Sequence, residues 1–382
     1  ELPNAIQPNT HPSSNKPTPM SERPLHSPLK PPLPSQKTPS IRWGGLKGFP
    51  LSLAVSQAAD AFAGLVVVVT EGMQQSHQIE SELKFFGGKT PVLSLPDWET
   101  LPFDLFSPHD DIVSERLATL YRMPELATGI LVVSVATLMQ RLAPRAFLGS
   151  RALMLEIGDV ISEAVFRERL ELGGYRHVPQ VYEHGEFAIR GSLIDLFPMG
   201  SQTPFRIDLF DNEVESIRIF DPETQRTIEQ IDRIQLLPAR EFPVDDDAIK
   251  LFRKQFRDKF GEPGQKSRVY RDVSKGMMLP GVEYYQPLFF EGLETLFDYL
   301  PGHSLFVLSE GVDAARQAFS EQIHERYELR RLDPERPLVE PGELYLNEDE
   351  LEQGFCRYRR IAAGAEADES STTFGCRPLP NV

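Results

Sequence analysis

Between Glu186 and Ser192 the chain offers a guanidinium suited to recognition, because strand alternation turns Phe187 and Ile189 to one side and Ala188 and Arg190 to the other. An outward arginine can make bidentate, charge-assisted bonds to a carboxylate and can stack on an aromatic ring, which is binding chemistry rather than catalysis. The same side chain could instead solvate its face or pair with Glu183, Glu186 or Asp195. Other groupings carry less. Asp97, Trp98 and Glu99 bring two carboxylates and an indole into one loop, but glycoside hydrolysis needs two carboxyls held across a sugar cleft. Packing of Trp98 against Tyr121 and its helix is the simpler expectation. His177 and His184 lack a third ligand at metal spacing and read as ordinary surface or hydrogen-bonding histidines. Cys356 and Cys376, without histidines at ligand spacing, are expected to be unpaired thiols.

The elements that would hold these groups fall into three blocks. From about Gly44 to Gly149 strand and helix alternate: Leu65–Thr70 reads as a buried strand, 75–86 as a helix, Val92–Leu95 and 129–135 as strands, and 136–142 as a helix. A loop from Pro96 to Pro102 leads into a helix over 110–123, whose Val113, Leu117, Leu120 and Tyr121 share one face. This pattern is half of a doubly wound parallel sheet. From about Ser150 to Phe242 the pattern changes. Ser162 can cap a helix that stops at Gly173-Gly174, and alternating stretches at 186–197, 205–210, 214–220 and from Arg226 are separated by short turns that favour antiparallel hairpins. Helix returns after Ala248, with Ile249, Phe252, Phe256 and Phe260 spaced by three or four, and Ser304–Leu308 reads as a second buried strand. The expected fold is α/β, with a small α+β insertion built on an antiparallel sheet.

At 382 residues the chain is long enough for two to three domains with sizeable cores. Eleven of its 33 prolines fall in residues 1–40, where no apolar period can be traced. Such a segment cannot bury enough surface to offset its chain entropy, so residues 1–42 are expected to form a disordered tail. Neither a signal-peptide pattern nor an apolar run of about 18 residues occurs, which points away from membranes and towards the cytoplasm. The net charge of −16, from 56 acidic and 40 basic residues, opposes strong sequence-independent binding to a polyanion, which needs clustered Lys and Arg. From about Asp333 the chain turns acidic and irregular, and residues 341–382 are expected to be a linker into a further domain cut short. Starting at Glu1 rather than Met, the chain reads as a fragment.

Two blocks carry a resemblance. One is LPDWETLPFDLFSPHDDIVSERLATLYRM, from Leu95 to Met123; the other is Tyr175 to Pro243, around GYRHVPQVYEHGEFAIRGSLIDLFPMGS. In this order and separation they resemble the amino-terminal region of the bacterial transcription-repair coupling factors (Mfd), a region itself similar to the excision-repair helicase UvrB. The resemblance runs from about Gly44 to Val382. It implies a degenerate, helicase-like doubly wound α/β domain over 43–149 and 243–340, two sequence-distant pieces of one sheet, with an inserted domain over 150–242 that binds UvrA. By the same resemblance Arg190, which precedes Gly191, and Arg176, in the Gly-Tyr-Arg stretch, match arginines associated with UvrA contact. Phe197, before Pro198, either joins that surface as an apolar anchor or belongs to the sheet core.

A nucleotide motor needs a Gly-rich turn to cradle phosphate, a lysine for the β- and γ-phosphates, a hydroxyl for Mg²⁺ and an acidic residue at a second strand end. UvrB has these parts. The corresponding turn here reads Lys47-Gly48-Phe49-Pro50-Leu51-Ser52, with Leu51 where the motor has its lysine and Ser52 as a surviving hydroxyl. At the second strand Ser309 stands where the metal-holding aspartate would be, and Glu310 is retained. The resemblance therefore implies a UvrA-recruiting module for transcription-coupled excision repair, with no catalytic residue, metal or cofactor of its own. ATP, Mg²⁺, RNA polymerase and duplex DNA are implied only for further domains downstream, with which such proteins displace stalled polymerase as ATP-dependent DNA translocases. The alternatives are a UvrB-like damaged-DNA-binding module or an ATP-dependent helicase module. The first is disfavoured because Asp104-Leu105-Phe106 runs straight into Ser107-Pro108-His109-Asp110, leaving no room for UvrB's hairpin. Leu51 and Ser309 disfavour the second.

Overall fold

The run Leu65–Thr70 decides the architecture. β-Branched residues without polar alternation suit a strand covered on both faces. In a computed structural model of the chain, which describes residues 25–86, 88, 90–364 and 371–374, all six are buried. The strand lies inside a seven-stranded sheet ordered Thr372–Thr373, Ser40–Gly44, Arg359–Gly364, Ser304–Leu308, Leu65–Thr70, Gly129–Ser134 and Val92–Leu95, with every pairing parallel. Val67 pairs with Phe306 on one side and Leu131 on the other. Alternate residues serve separate cores. Val66 and Val68 join Ala54, Val55 and Ala58 of the helix Phe49–Phe62 and Ile79 and Leu83 of the helix Met73–Phe86. Val67 and Val69 join Leu117 and Leu120 of the helix Asp110–Arg122 and Val312 and Ile323 of the helix Val312–Arg330. Strands from two sequence-distant stretches, 40–134 and 304–373, thus build one sheet.

The insertion is closed at its base. Leu153–Glu156 and Arg233–Leu236 pair antiparallel, so its entry and exit lie side by side. Between them the helix Glu163–Leu172 ends at Gly173-Gly174, where Gly174 takes φ 88°. Six strands follow in the spatial order Thr227–Ile231, Glu213–Phe220, Phe205–Phe210, Leu193–Leu196, Glu186–Arg190 and Arg176–His177, antiparallel except for the last pair. Phe187, Ile194, Leu196, Phe205, Ile207 and Ile217 bury one face of this sheet in the main core. Asp211 and Asn212 take φ 50° and 70° at a hairpin turn, a conformation that Asp and Asn tolerate better than most residues.

The structure departs from the sequence reading in four places. The tail expected over 1–42 falls partly outside the described residues, at 1–24; residues 25–42 are mostly exposed but are tethered to the body. Ser40–Gly44 is a sheet strand, and the carbonyls of Pro32 and Pro34 accept bonds from Trp43 Nε1 (3.1 Å) and Arg359 Nη1 (3.2 Å). Proline lacks an N–H yet keeps its acceptor, so donors from elsewhere can hold a proline-rich segment. Residues 341–364 are not a linker: the helix Glu348–Phe355 leads into Arg359–Gly364, which fills the sheet between Ser304–Leu308 and Ser40–Gly44. The helix expected at 136–142 is only Val135–Leu138, and Arg141–Leu142 pairs with Glu294–Thr295. Trp98 packs edge-on to Tyr284 at 5.6 Å, not on Tyr121, because its indole N–H is drawn to Glu241 Oε1 at 3.0 Å. Cys356 is a free, exposed thiol; Cys376 lies outside the described residues.

Candidate functional site

Arg176 stands opposite Glu186 in the parallel strand pair, and Ala188 and Arg190 follow Glu186 at the two-residue repeat. Both arginines therefore occupy one face of the inserted sheet, about 13 Å apart at the usual strand rise. Their side chains are 51% and 46% exposed. They are also paired. Arg176 Nη2 reaches Asp110 Oδ2 at 3.0 Å, Glu183 Oε2 at 3.4 Å and Glu186 Oε1 at 3.6 Å, and Arg190 Nη2 donates to Asp195 Oδ2. Asp110 sits in the first turn of the body helix Asp110–Arg122, where the helix dipole favours carboxylates. Arg176 thus joins the insertion to the body while keeping half its surface in solvent.

The ground between the two arginines is apolar. Val181 closes over Ala188, Phe197 and Phe220, a cluster that Val178 abuts. Phe197, 8% exposed, belongs to this cluster and not to the open surface. The His184 ring lies 3.9 Å from it, beside a groove of about 540 Å³ lined by His109, Asp111, Tyr182 and Glu183 among others. His184 is a bridge: Nδ1 lies 2.6 Å from Asp111 Oδ1 on the body helix and Nε2 lies 2.8 Å from the Ser201 carbonyl in the insertion. His177 lies against Phe187 at 5.1 Å and near Arg167. Among the described residues, no group of three or more His, Cys, Asp or Glu could hold a metal, and no helix is long and apolar enough to cross a membrane.

The nucleotide-like turn sits at the carboxyl ends of the parallel strands. Strand Ser40–Gly44, the turn and helix Phe49–Phe62 follow in sequence, with Gly48 capping the helix at φ 60°. Lys47 Nζ lies 3.7 Å from Glu310 Oε2, so the first and second motif positions meet at one sheet edge. Their chemistry is otherwise engaged. Leu51 is buried, the fully buried Ser52 Oγ donates to Glu82 Oε2 at 2.6 Å, and Ser309 Oγ donates to Gln75 Oε1 at 2.7 Å. The backbone N–H of Leu51 and of Ser52 both turn to the Gly48 carbonyl, and that of Leu46 to Gly364. A Cβ at Gly45, just before the turn, would meet the Phe374 carbonyl at 3.0 Å, whereas one at Gly48 would meet nothing within 4 Å. Leu51 thus offers no cation here, and the hydroxyls of Ser52 and Ser309 each donate to a side-chain oxygen.

Comparison with known proteins matches residues 153–242 to the family described as the UvrB interaction domain. Those bounds begin at the first strand of the pair that closes the insertion and end just beyond the second. Over 343 residues the chain is 43% identical to the transcription-repair-coupling factor of Escherichia coli (strain K12), covering 89% of this chain and 30% of that protein. The chain is homologous to transcription-repair-coupling factors. The Haemophilus influenzae transcription-repair-coupling factor is 46% identical over 321 residues, 84% of this chain and 28% of its own length. That of Myxococcus xanthus is 30% identical over 342 residues, 85% and 28%. The chain spans less than a third of the length of these curated relatives.

In this transcription-repair-coupling-factor homologue there are two buried charge centres: sequence reasoning named Asp195 only as a possible partner of Arg190, and passed over Glu241. Asp195, 0% exposed, takes Arg206 Nε at 2.7 Å on Oδ1 and Nη2 at 3.0 Å on Oδ2, besides Arg190. Glu241 takes Arg116 Nε at 2.6 Å and Nη2 at 3.2 Å, with the Trp98 indole N–H. A lone acid within Leu193-Ile194-Asp195-Leu196 was the available signal. Around the second centre, burial raises the Asp97 carboxyl above its usual range despite Arg116, and raises Glu283 despite the Ser107 hydroxyl at 2.7 Å and Arg240.

Proposed function

We propose that this chain recruits UvrA during transcription-coupled nucleotide excision repair, in the cytoplasm, through the inserted domain, and that it does so without turning over ATP. The observation that carries this reading is the coincidence of the UvrB interaction domain with a sheet face presenting Arg176 and Arg190, each about half exposed. Two guanidinium groups flanking an apolar cluster suit a partner that supplies carboxylates around a small apolar contact. Displacement of stalled RNA polymerase and ATP-driven translocation on duplex DNA belong, in this reading, to further parts of the relatives. The buried, apolar Leu51 and the engaged hydroxyls of Ser52 and Ser309 support a scaffold role for the α/β body. The test is retention of purified UvrA by the immobilised chain, with ATP hydrolysis measured on the free chain. Retention of UvrA with hydrolysis at the buffer level supports the proposal; UvrA passing through, or phosphate release that scales with the chain, contradicts it.

A further inference from the structure

We propose that Asp195 is a positioning residue that fixes the Arg190 guanidinium for a partner carboxylate, an inference that rests on the UvrA-recruiting reading above. Arg190 ends its strand at the two-residue turn Gly191-Ser192, with Gly191 at φ 62° and Ser192 held through its carbonyl by the Leu209 N–H, so the backbone beneath it is set. The side chain would still sweep several rotamers in solvent, and each would have to be frozen on binding. Asp195 removes that freedom. Its carboxylate is fully buried on the same sheet face, opposite Ala188, and holds one Arg190 nitrogen, Nη2.

Asp195 is itself immobile because Arg206 grips both its oxygens, and Arg206 is held in turn by the Gln225 carbonyl at 3.1 Å and by the Phe220 ring at 4.9 Å. Arg206 is 15% exposed against 46% for Arg190. A guanidinium has five N–H donors, and among the described residues Asp195 engages Arg190 through one nitrogen only. The remaining donors are left for a planar acceptor arriving from solvent, in an orientation already chosen. Two arginines on one carboxylate are thereby unequal: the buried one fixes the acid, and the acid aims the exposed one.

The test is a double-mutant cycle on the full chain, reading UvrA affinity by titration and folding by circular dichroism. Asp195→Asn is expected to weaken UvrA binding about tenfold when Arg190 is present and to change it less than about twofold in the Arg190→Ala background, since coupled residues are non-additive. Equal losses in both backgrounds, or none in either, overturn the proposal. Arg190→Lys, at a half-exposed site that does not threaten folding, is the second variant. A lysine held by Asp195 has no planar fork left to offer, so binding as weak as that of Arg190→Ala is expected, and parent-like binding overturns the proposal. If Arg190→Ala alone leaves the affinity unchanged, the recruiting surface itself is misassigned, an outcome read from that single variant before the cycle is closed.

Discussion

At the scale of single residues, the inserted sheet shows how far alternation carries. Period two sends Arg190 outward and Phe187 inward, and the structure keeps both assignments. It is silent on what lies above a face. Asp195 shares the outward face of Arg190 yet is 0% exposed, because Arg206 and neighbouring segments cover it, and Phe197 is sealed by Val181 and His184. Those covers come from neighbouring strands and loops that the alternation of one strand does not reveal. The two arginines on Asp195 should therefore differ in their effect on stability. Arg206→Ala leaves a buried carboxylate with only a half-exposed partner, so a loss of about 3 kcal/mol is expected in urea unfolding. Arg190→Ala, which leaves the Arg206 grip intact, should cost under about 1 kcal/mol by the same measurement.

At the scale of elements, the loop between Leu95 and Asp110 is where sequence and structure differ most in kind. Trp98, Thr100 and Ser107 pin it. Trp98 and Arg116 converge on Glu241, Thr100 bonds to the Tyr284 hydroxyl, and Ser107 donates to Glu283. These partners lie far along the chain, so no window of the sequence could join them. Burial raises the folded-state Glu283 carboxyl above its unfolded value, so its contribution to stability is fully present below about pH 4.3 and is lost as pH rises through the folded value. Glu283→Gln should accordingly gain on the parent as pH rises towards neutrality and lose that advantage near pH 4, read from unfolding midpoints across the range. An advantage that grows on acidification would contradict this. Arg116→Ala should lower stability at neutral pH by about 3–5 kcal/mol, by leaving Glu241 buried without its cation.

At the scale of the whole molecule, a parallel sheet carries an insertion that meets it through Arg176–Asp110, His184–Asp111 and Arg116–Glu241. The alternating strands and helices made the α/β body legible in the sequence. The strand Arg359–Gly364 stayed hidden, since its arginines masked the apolar Ile361 and Ala363 that bury it. Millimolar Mg·ATP should leave the melting temperature of the chain unchanged, whereas a site with Kd near 10 µM would add about 2.7 kcal/mol at that concentration. The central claim is that the paired arginines form the docking face, and titration of UvrA into the Arg176→Ala/Arg190→Ala double variant, with its unfolding curve recorded beside the parent's, tests it most directly. With interface arginines worth about 2 kcal/mol each, the expected result is UvrA affinity reduced by at least about thirtyfold in a chain that still unfolds cooperatively. A folded double variant that binds UvrA as tightly as the parent would contradict the account.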